Sequence, residues 1–312
     1  MTARRLFCFG LGYTALTLAR LLAAQGWIIT GTCRTVEKAA ALRETGITAY
    51  RFDRNHPLPR ETLDAATHLL MSVPPGAAGD PVLATHGSDV AAITGLSWVG
   101  YLSTTGVYGD RGGGWVDETA ALLPTGERGR RRVAAEKGWL DLWRSHGVPV
   151  HIFRLAGIYG RCRSAFDALR GGTAKRIDKP GQVFSRIHVE DLAAVLIASI
   201  RRPQPGAVYN VCDDDPSSPE AVVAHAAMLL GMAPPPLVPI EDAGLSAMGR
   251  SFYDDNKRVS NALIKTTLGV RLRYPDFRAG LAAILADETC SRTPHPASSA
   301  DKIDPLSGGK LR

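Results

Sequence analysis

A glycine-rich turn close to the start of the chain constrains the fold more than any other feature of the sequence. Residues 10–15 are Gly-Leu-Gly-Tyr-Thr-Ala, and they stand between a short apolar run at residues 6–9 and a segment with helical apolar periodicity. This order predicts a strand, a tight turn and a helix whose N-terminal amides bind an anion. Gly12 leaves room for a pyrophosphate to approach the backbone. A turn with a purely structural role would show the same pattern.

The second predicted strand, residues 27–33, ends at Arg34. Sheets that bind nicotinamide dinucleotides usually place an Asp or Glu near this point, where the carboxylate accepts a hydrogen bond from the ribose 2′-hydroxyl. An arginine suits the 2′-phosphate of NADP instead. The sequence therefore predicts NADP as the cofactor, with NAD as the less favoured choice.

The composition is typical of a globular enzyme. The 312 residues are 45% hydrophobic and 21% charged. No run of about 18 uncharged apolar residues is present, so we expect no contact with a membrane. The chain enters its first predicted strand without a signal peptide, and we expect a cytoplasmic protein. The five cysteines are scattered without a Cys-x-x-Cys pair, which favours free thiols over a disulfide framework or a zinc site.

Basic residues are concentrated in one predicted helix, which carries Arg128, Arg130, Arg131 and Arg132, and the formal net charge of the chain is +7. A solvated helix face, a site for an anionic ligand and a nucleic-acid surface would each explain this run. No recognised nucleic-acid-binding module accompanies the charge, so we expect no nucleic-acid partner.

Strands and helices alternate through the first half of the chain. The strand candidates are residues 6–9, 27–33, 49–52, 68–73, 98–103 and 150–155, and the helix candidates are residues 14–24, 36–44, 80–93 and 130–146. This alternation predicts an α/β fold, a Rossmann-type doubly wound parallel sheet that binds ligands beyond the carboxyl ends of its strands.

The pattern changes after residue 156, where loops rich in Gly, Arg and Pro appear. Helices are predicted at residues 189–200, 219–230 and 277–288, with a strand at residues 208–212. We expect residues 1–156 to form the dinucleotide-binding core and residues 157–288 a small C-terminal cap that binds substrate and completes the core. Residues 289–312 are polar and aperiodic, which predicts a disordered tail.

Several motifs resemble those of the extended short-chain dehydrogenases/reductases, in the branch of the NAD-dependent epimerases and dehydratases. Besides the glycine turn, they are Ser-Thr-Thr-Gly-Val-Tyr-Gly at residues 103–109, Arg-Leu-Ala-Gly-Ile-Tyr-Gly at 154–160, Arg-Ile-His-Val-Glu-Asp-Leu-Ala at 186–193 and Val-Tyr-Asn-Val at 208–211. The matches keep the family's order over residues 5–285. More narrowly, the chain resembles a bacterial YeeZ-like subgroup.

This resemblance implies roles for individual residues. Thr104 would hydrogen-bond the reacting carbonyl, with termination of the fifth strand as the alternative role. Asp53 would face the adenine unless it is an ordinary turn residue. The resemblance also implies a small-molecule substrate and a homodimer built through the helices after the fourth and fifth strands. The residues implied at the cofactor are Gly10, Gly12, Tyr13, Thr14, Ala15, Arg34, Asp53, Ser72, Val73 and Arg132.

The Tyr and Lys that most members of this family use are missing. Hydride-transferring members use the Tyr as acid or base, and a Lys four residues later lowers its pKa. Aligned on Glu136, these positions hold Arg128 and Arg132, and no tyrosine lies between Tyr108 and Tyr159. A guanidinium, with a pKa above about 12, cannot relay a proton near neutral pH. Tyr108 is the candidate for a substitute acid, with aromatic packing as its alternative role.

Other polar residues carry weaker signals. Tyr253 and Lys257 have the Tyr-x-x-x-Lys spacing, but they lie in the predicted cap, where we expect a surface connection. We expect His188 to cap a helix and dock the cap against the sheet rather than to bind a metal ion. Three arginines fall near the predicted substrate mouth and either bind an anionic substrate or pair with acidic residues: Arg154, Arg161 and Arg186.

The sequence leaves two functional hypotheses. The first is an NADP-dependent oxidoreductase or epimerase/dehydratase-like enzyme that acts on a small polar metabolite, either neutral or anionic. Thr104 would then polarise a carbonyl, and Tyr108 or a water molecule would replace the missing Tyr. The second is a non-catalytic NADP(H)-binding regulator or sensor, which the loss of the Tyr/Lys pair favours.

Overall fold

The computed structural model of the protein describes residues 3–292, with the backbone alone described for residues 289–292. The helices are α1 (Tyr13–Ala23), α2 (Val36–Glu44), α3 (Pro81–Ala92), α4 (Glu127–His146), α5 (Ala165–Arg170), α6 (Val189–Arg201), α7 (Pro219–Leu229), α8 (Ala247–Ser251), α9 (Ala262–Thr266) and α10 (Phe277–Arg292). The strands are β1 (Arg5–Phe9), β2 (Ile28–Cys33), β3 (Thr48–Arg51), β4 (His68–Met71), β5 (Trp98–Thr104), β6 (Trp115–Val116), β7 (Val150–Leu155), β8 (Gly157–Tyr159), β9 (Arg176–Asp178), β10 (Arg186–His188), β11 (Val208–Val211), β12 (Leu237–Pro239) and β13 (Arg258–Val259).

Seven strands form one parallel sheet in the order β11-β7-β5-β4-β1-β2-β3. The predicted Rossmann-type doubly wound sheet is therefore confirmed. From β1 the chain builds outward through β2 and β3, and it then returns to the other side of β1 with β4. This reversal opens a crevice at the carboxyl ends of β1 and β4, which is where ligands bind in such sheets.

Helices cover both faces of the sheet because its strands present apolar side chains on both sides. In β1, Leu6 and Cys8 pack in a cluster with residues of α1 and α6, whereas Phe7 and Phe9 pack with residues of α3 and α4. Strands buried on both faces have continuous apolar runs rather than alternation. Each such fully buried Leu or Phe contributes about 1.5–3 kcal/mol to folding.

The second half of the chain completes this core and adds a smaller layer beside it. Helix α6 and strand β11 return to the main sheet, while α5, α7 and α10 share a separate apolar cluster that includes Phe166 and Phe277. Three short parallel pairs, β8/β10, β9/β12 and β6/β13, join the two parts. Helix α10 extends to Arg292, four residues into the segment predicted to be disordered, and residues 293–312 lie outside the described part of the chain.

Two buried histidines link the stability of the sheet to pH. His68 in β4 packs against the edge of Trp27, and the Nε2 atom of His151 in β7 accepts a hydrogen bond from the Gln204 amide at 2.8 Å. Burial lowers the pKa of both His68 and His151 to about 4. In the unfolded chain the histidine pKa is about 6.5, so between these values the unfolded state binds protons that the folded state does not.

We predict that His151→Gln weakens the dependence of the melting temperature on pH. The wild-type contribution of His151 is fully present above about pH 6.5 and is lost as the pH falls toward the folded pKa. A glutamine amide can still accept from Gln204 but does not titrate. Thermal unfolding between pH 7.5 and 4.5 measures the effect, with His146→Gln at the exposed end of α4 as control. Equal slopes for the wild type and His151→Gln would contradict this assignment.

Candidate functional site

The turn between β1 and α1 forms an open anion site. Gly10 has a φ of +92°, which side chains rarely adopt, and a Cβ there would lie 3.0 Å from Val73 Cγ2. A Cβ at Gly12 would meet no described atom within 4 Å, so the space above the helix is free. The turn is held by Thr32, whose Oγ1 accepts from the Gly10 amide at 2.9 Å. Helix α1 has neither a side-chain cap nor an acidic residue in its first turn, so its N-terminal amides are available to an anion.

Arg34 and Asp53 follow the carboxyl ends of β2 and β3. The Arg34 side chain is exposed and makes no hydrogen bond or ion pair within residues 3–292, so its charge is free for a ligand. The Asp53 carboxylate is engaged in its own turn, where it accepts from the Asn55 amide and from His56 Nδ1, at 2.9 and 2.8 Å. The hydrogen bond from His56 lowers the Asp53 pKa. These contacts agree with the alternative role of Asp53 as a turn residue.

A cleft of about 700 Å³ lies beyond the carboxyl ends of the central strands, between the sheet and the cap. Five of the predicted site residues line it, from the dinucleotide turn, β4, β5 and α4: Tyr13, Thr14, Ser72, Thr104 and Arg132. The other predicted residues lie outside its lining: Gly10, Gly12, Ala15, Arg34, Asp53, Val73 and Tyr108. The cleft therefore continues from the anion site of α1 to the end of β5.

Thr104 is placed to donate a hydrogen bond to a ligand. It ends β5, is half-buried and lines the cleft. Its Oγ1 accepts from the Gly106 amide at 3.2 Å, which leaves the hydroxyl proton available. The position agrees with both interpretations of Thr104, as the end of a strand and as a hydrogen-bond donor.

Arg132 is fixed on the floor of the cleft. Its Nη1 atom donates to the Leu102 carbonyl at 2.6 Å and to the Tyr101 hydroxyl at 3.0 Å, and its guanidinium lies over the Tyr101 ring. These partners are neutral, so the positive charge of Arg132 is not compensated by them. The residue can attract an anionic group but cannot exchange a proton near neutral pH.

Tyr108 does not reach the cleft. Its side chain is fully buried, and its hydroxyl donates to Asn210 Oδ1 at 2.7 Å and accepts from Arg154 Nη1 at 2.9 Å. Burial raises the Tyr108 pKa. This arrangement gives Tyr108 no contact with a ligand in the cleft, in agreement with its alternative role in packing.

Tyr108 belongs to a buried polar network in which Arg154 has the alternative role left open by the sequence, pairing with an acidic residue. Arg154 forms an ion pair with Glu136 at 2.8 Å, both residues are nearly inaccessible, and Ser103 donates its hydroxyl to the same carboxylate. Arg154 is therefore engaged inside the core and does not line the substrate mouth. The sequence feature that could have indicated this pair is Glu136, a charged residue on the apolar face of α4.

The start of α6 is the place where His188 was expected to cap a helix and dock the cap. His188 Nδ1 accepts from the Glu190 amide at 3.3 Å and caps α6. The Asp191 carboxylate accepts from the amides of Arg273 and Tyr274, both at 2.8 Å. No group of three or more His, Cys, Asp or Glu side chains suited to a metal ion occurs among the described residues.

The segment around Lys257, expected to be a surface connection, forms one wall of the cleft instead. Phe252, Asp255 and Lys257 line it. Lys257 Nζ donates to the Gly109 carbonyl at 2.8 Å and pairs with Asp255 at 3.0 Å, so this lysine is already occupied. Tyr253 is not in the lining; its ring contacts Phe184 edge-on.

Three further arginines give the cleft a positive potential. Arg128, Arg163 and Arg186 line it, and none forms an ion pair with a described residue. Arg186 Nη1 donates to the carbonyls of Phe184 and Ser217, at 2.9 and 3.0 Å. Of these three, only Arg186 was expected at the mouth. Cations outnumber the one acidic residue in the lining, Asp255, and such an excess of positive charge raises the local concentration of anionic ligands.

A buried carboxyl near Arg186 does not cancel this charge. Asp213 is 2% exposed, and neither of its carboxyl oxygens has a hydrogen-bond partner in the described chain. Burial raises the Asp213 pKa to about 8, against an opposing effect of Arg186. The raised pKa favours the neutral form of Asp213, which compensates the charge of Arg186 less than an ionised carboxylate would.

Comparison with known proteins shows which proteins the chain is similar to. No protein-family model matches the chain. Protein YeeZ of Escherichia coli (strain K12) is 29% identical over 277 residues, which are 86% of this chain and 95% of YeeZ. A functionally unknown conserved protein from Silicibacter pomeroyi DSS is 53% identical, with a TM-score of 0.85 over 91% of this chain and 99% of that chain. MoeE5 in complex with UDP-glucose and NAD has a TM-score of 0.73 at 20% identity, over 93% of this chain and 100% of that chain.

The fold and these likenesses agree with the resemblance to the extended short-chain dehydrogenases/reductases that the motifs indicated. The chain belongs to the same family as the Silicibacter protein and is similar to YeeZ. Within residues 3–292, no helix has the length and apolar character needed to cross a membrane.

We predict that Glu136→Gln destabilises the protein by about 3 kcal/mol or more, because it leaves the Arg154 charge buried without its partner. Urea unfolding measures the free energy. Glu127→Gln is the matched control on the same helix, since Glu127 pairs with Arg130 at the exposed surface. The control should leave the urea midpoint nearly unchanged. A similar loss of unfolding free energy in both variants would show that the buried ion pair contributes no more to stability than the exposed one.

Proposed function

We propose that the protein is an NADP(H)-dependent oxidoreductase or epimerase/dehydratase-like enzyme that acts on a small polar, anionic metabolite. The observation that carries this proposal is the continuity between the open anion site at the start of α1 and a positively charged cleft that ends at Thr104. A dinucleotide bound along this path would bring its nicotinamide to the end of β5.

The residues present fit a nicotinamide dinucleotide. The free amides above Gly12 suit a pyrophosphate, and the unpaired Arg34 suits a ribose 2′-phosphate. MoeE5 and the dTDP-glucose 4,6-dehydratase of Bacillus anthracis str. Ames have the same fold in complexes with NAD. Arg34 leads us to propose NADP for this chain.

When bound, the cofactor supplies a carbon that accepts or donates a hydride. The residues of this protein bind and orient the substrate and the cofactor, and they polarise the substrate oxygen. Thr104 donates a hydrogen bond from its hydroxyl to the substrate oxygen, and Arg132 would hold the cofactor ribose or a nearby phosphate from its fixed position on α4, beside β5. With Tyr108 buried, the proton comes from water. The loss of a positioned acid or base typically costs about 10²–10⁴-fold in rate.

A non-catalytic NADP(H)-binding regulator is the second candidate, and the arginines at the Tyr and Lys positions favour it. Turnover assays with NADPH across carbonyl and nucleotide-sugar substrates separate the two functions. Turnover of any substrate supports the enzyme. Saturating NADPH without turnover favours the regulator, which then requires different affinities for NADP and NADPH, because only differential binding shifts a population.

We predict that Arg34→Asp weakens NADP binding by about 1–3 kcal/mol and changes NAD binding much less, because it removes a charge-assisted contact with the 2′-phosphate. Titration calorimetry with both cofactors measures the ratio of the two affinities. Arg20→Asp, with the same charge change at the opposite end of α1, is the control. An unchanged ratio in Arg34→Asp would refute the assignment of Arg34 to the phosphate.

A further inference from the structure

Arg128 occupies the position at which most members of the class place a tyrosine, and the packing of α4 brings it to the reacting end of the cleft. The first turn of α4 lies against the chain that follows Thr104: a Cβ at Gly129 would be 2.8 Å from the Gly106 carbonyl oxygen. Only a glycine permits this approach. Arg128, the preceding residue, lines the cleft together with Thr104 and Gly106.

The guanidinium of Arg128 has no polar partner in the described chain. Among the described residues, its one recorded contact is a cation–π contact with the ring of Phe252, with 5.5 Å between Arg128 Cζ and the ring centroid. The acidic residue next to it, Glu127, is taken by Arg130 at 2.6 Å and approached by Arg131 at 3.8 Å. Packing against an aromatic face leaves the in-plane N–H groups of a guanidinium free to donate.

Arg132, one turn later on α4, is an arginine whose guanidinium already donates hydrogen bonds within the protein. It donates to Leu102 and Tyr101, whereas Arg128 keeps all of its donors. Helix α4 has 20 residues, and its N-cap Gly126 provides no side-chain hydrogen bond, so the positive end of the helix adds to the potential at Arg128. This corner of the cleft therefore has an unused cation beside a hydroxyl donor.

The other free arginines lie elsewhere. Arg163 and Arg186 also line an adjoining cavity of about 540 Å³ on the side of α5 and α10, and Arg128 does not. A single planar guanidinium matches the two oxygens of a carboxylate, which it can bind through two parallel hydrogen bonds. A guanidinium binds a phosphate in the same way, so phosphate is the comparison that the test must include.

We propose that Arg128 binds a carboxylate of the substrate next to the reacting carbon, so that the substrate is an oxo acid or a hydroxy acid. This inference rests on the proposed function, because it assumes a nicotinamide at the end of β5. Thr104 then contacts the carbonyl or hydroxyl oxygen, and Arg128 contacts the neighbouring carboxylate. The substitution of Tyr by Arg thus changes the ligand that the site selects.

The test measures binding of non-reacting probes to the NADP-saturated protein by titration calorimetry. The probes are oxamate and malonate as carboxylates, inorganic phosphate as a tetrahedral anion, and acetamide as a neutral compound. Arg128→Met should weaken carboxylate binding by about 10- to 100-fold, as expected for the loss of a charge-assisted pair, and Arg128→Lys should weaken it less. Arg144→Met, on the same helix but paired with Asp141 at its far end, should leave it unchanged.

Several results would overturn the proposal. One is that the wild type and Arg128→Met bind carboxylates with equal affinity. Another is that the NADP-saturated wild type binds no carboxylate. A third is that only the binding of phosphate depends on Arg128. NADP affinity and melting temperature are measured on every variant. Failure of the wild type to bind NADP would refute the proposed function, whereas normal NADP binding with unchanged probe binding would refute the assignment of Arg128 alone.

Discussion

The parallel pairing of β1 with both β2 and β4 is the constraint on which the site depends. It brings the carboxyl ends of three strands to one edge, so that Gly10, Arg34 and Ser72 lie around one crevice although they are far apart in sequence. The pairing requires close contact: a Cβ at Gly31 would be 2.4 Å from the carbonyl oxygen of Cys8, its partner in the register. The backbone of the turn is then held by Thr32 of β2, and the anion site is a consequence of the sheet rather than of the glycines alone.

Arginines serve two different purposes in this molecule, and their partners separate them. Arg154 is paired with Glu136 inside the core, where an uncompensated charge would be costly. Arg34, Arg128 and Arg163 face solvent or the cleft and have no acidic partner within the described residues. An exposed cation needs no counter-charge for stability, because water solvates it, so these positions can be kept free for an anionic ligand.

The sequence predicted the large sheet well, because each of its strands has a local signal. Residues 150–155 form an apolar run with a Gly-Val-Pro turn before it, and the structure has β7 at those residues. The short strands of the cap had no such signal. Strand β6 has two residues, and it exists because Trp115 and Val116 pair with Arg258 and Val259, more than 140 residues later. Its partner could not be identified from either segment alone.

The residues of the candidate site could be predicted where a local motif fixes them. The prediction was wrong where a contact distant in sequence decides the direction of the side chain. Thr104 and Arg132 follow from motifs that fix their place on β5 and α4, and both line the cleft. Tyr108 belongs to a motif too, but the direction of its side chain is set by Asn210, which is 102 residues away. Sequence spacing gives the position of a residue along an element, and long-range packing decides which way its side chain points.

The proposed function does not need a tyrosine if the site stabilises charge instead of transferring a proton. A carbonyl oxygen gains negative charge as it accepts a hydride, and fixed positive groups around that oxygen lower the barrier without exchanging protons. Arg132 keeps its proton and its positive charge near neutral pH, and Thr104 supplies a hydrogen-bond donor at the end of β5. The proton then reaches the product from water after charge has developed. A guanidinium in the place of a phenol is therefore consistent with hydride chemistry whose proton step takes place in solvent.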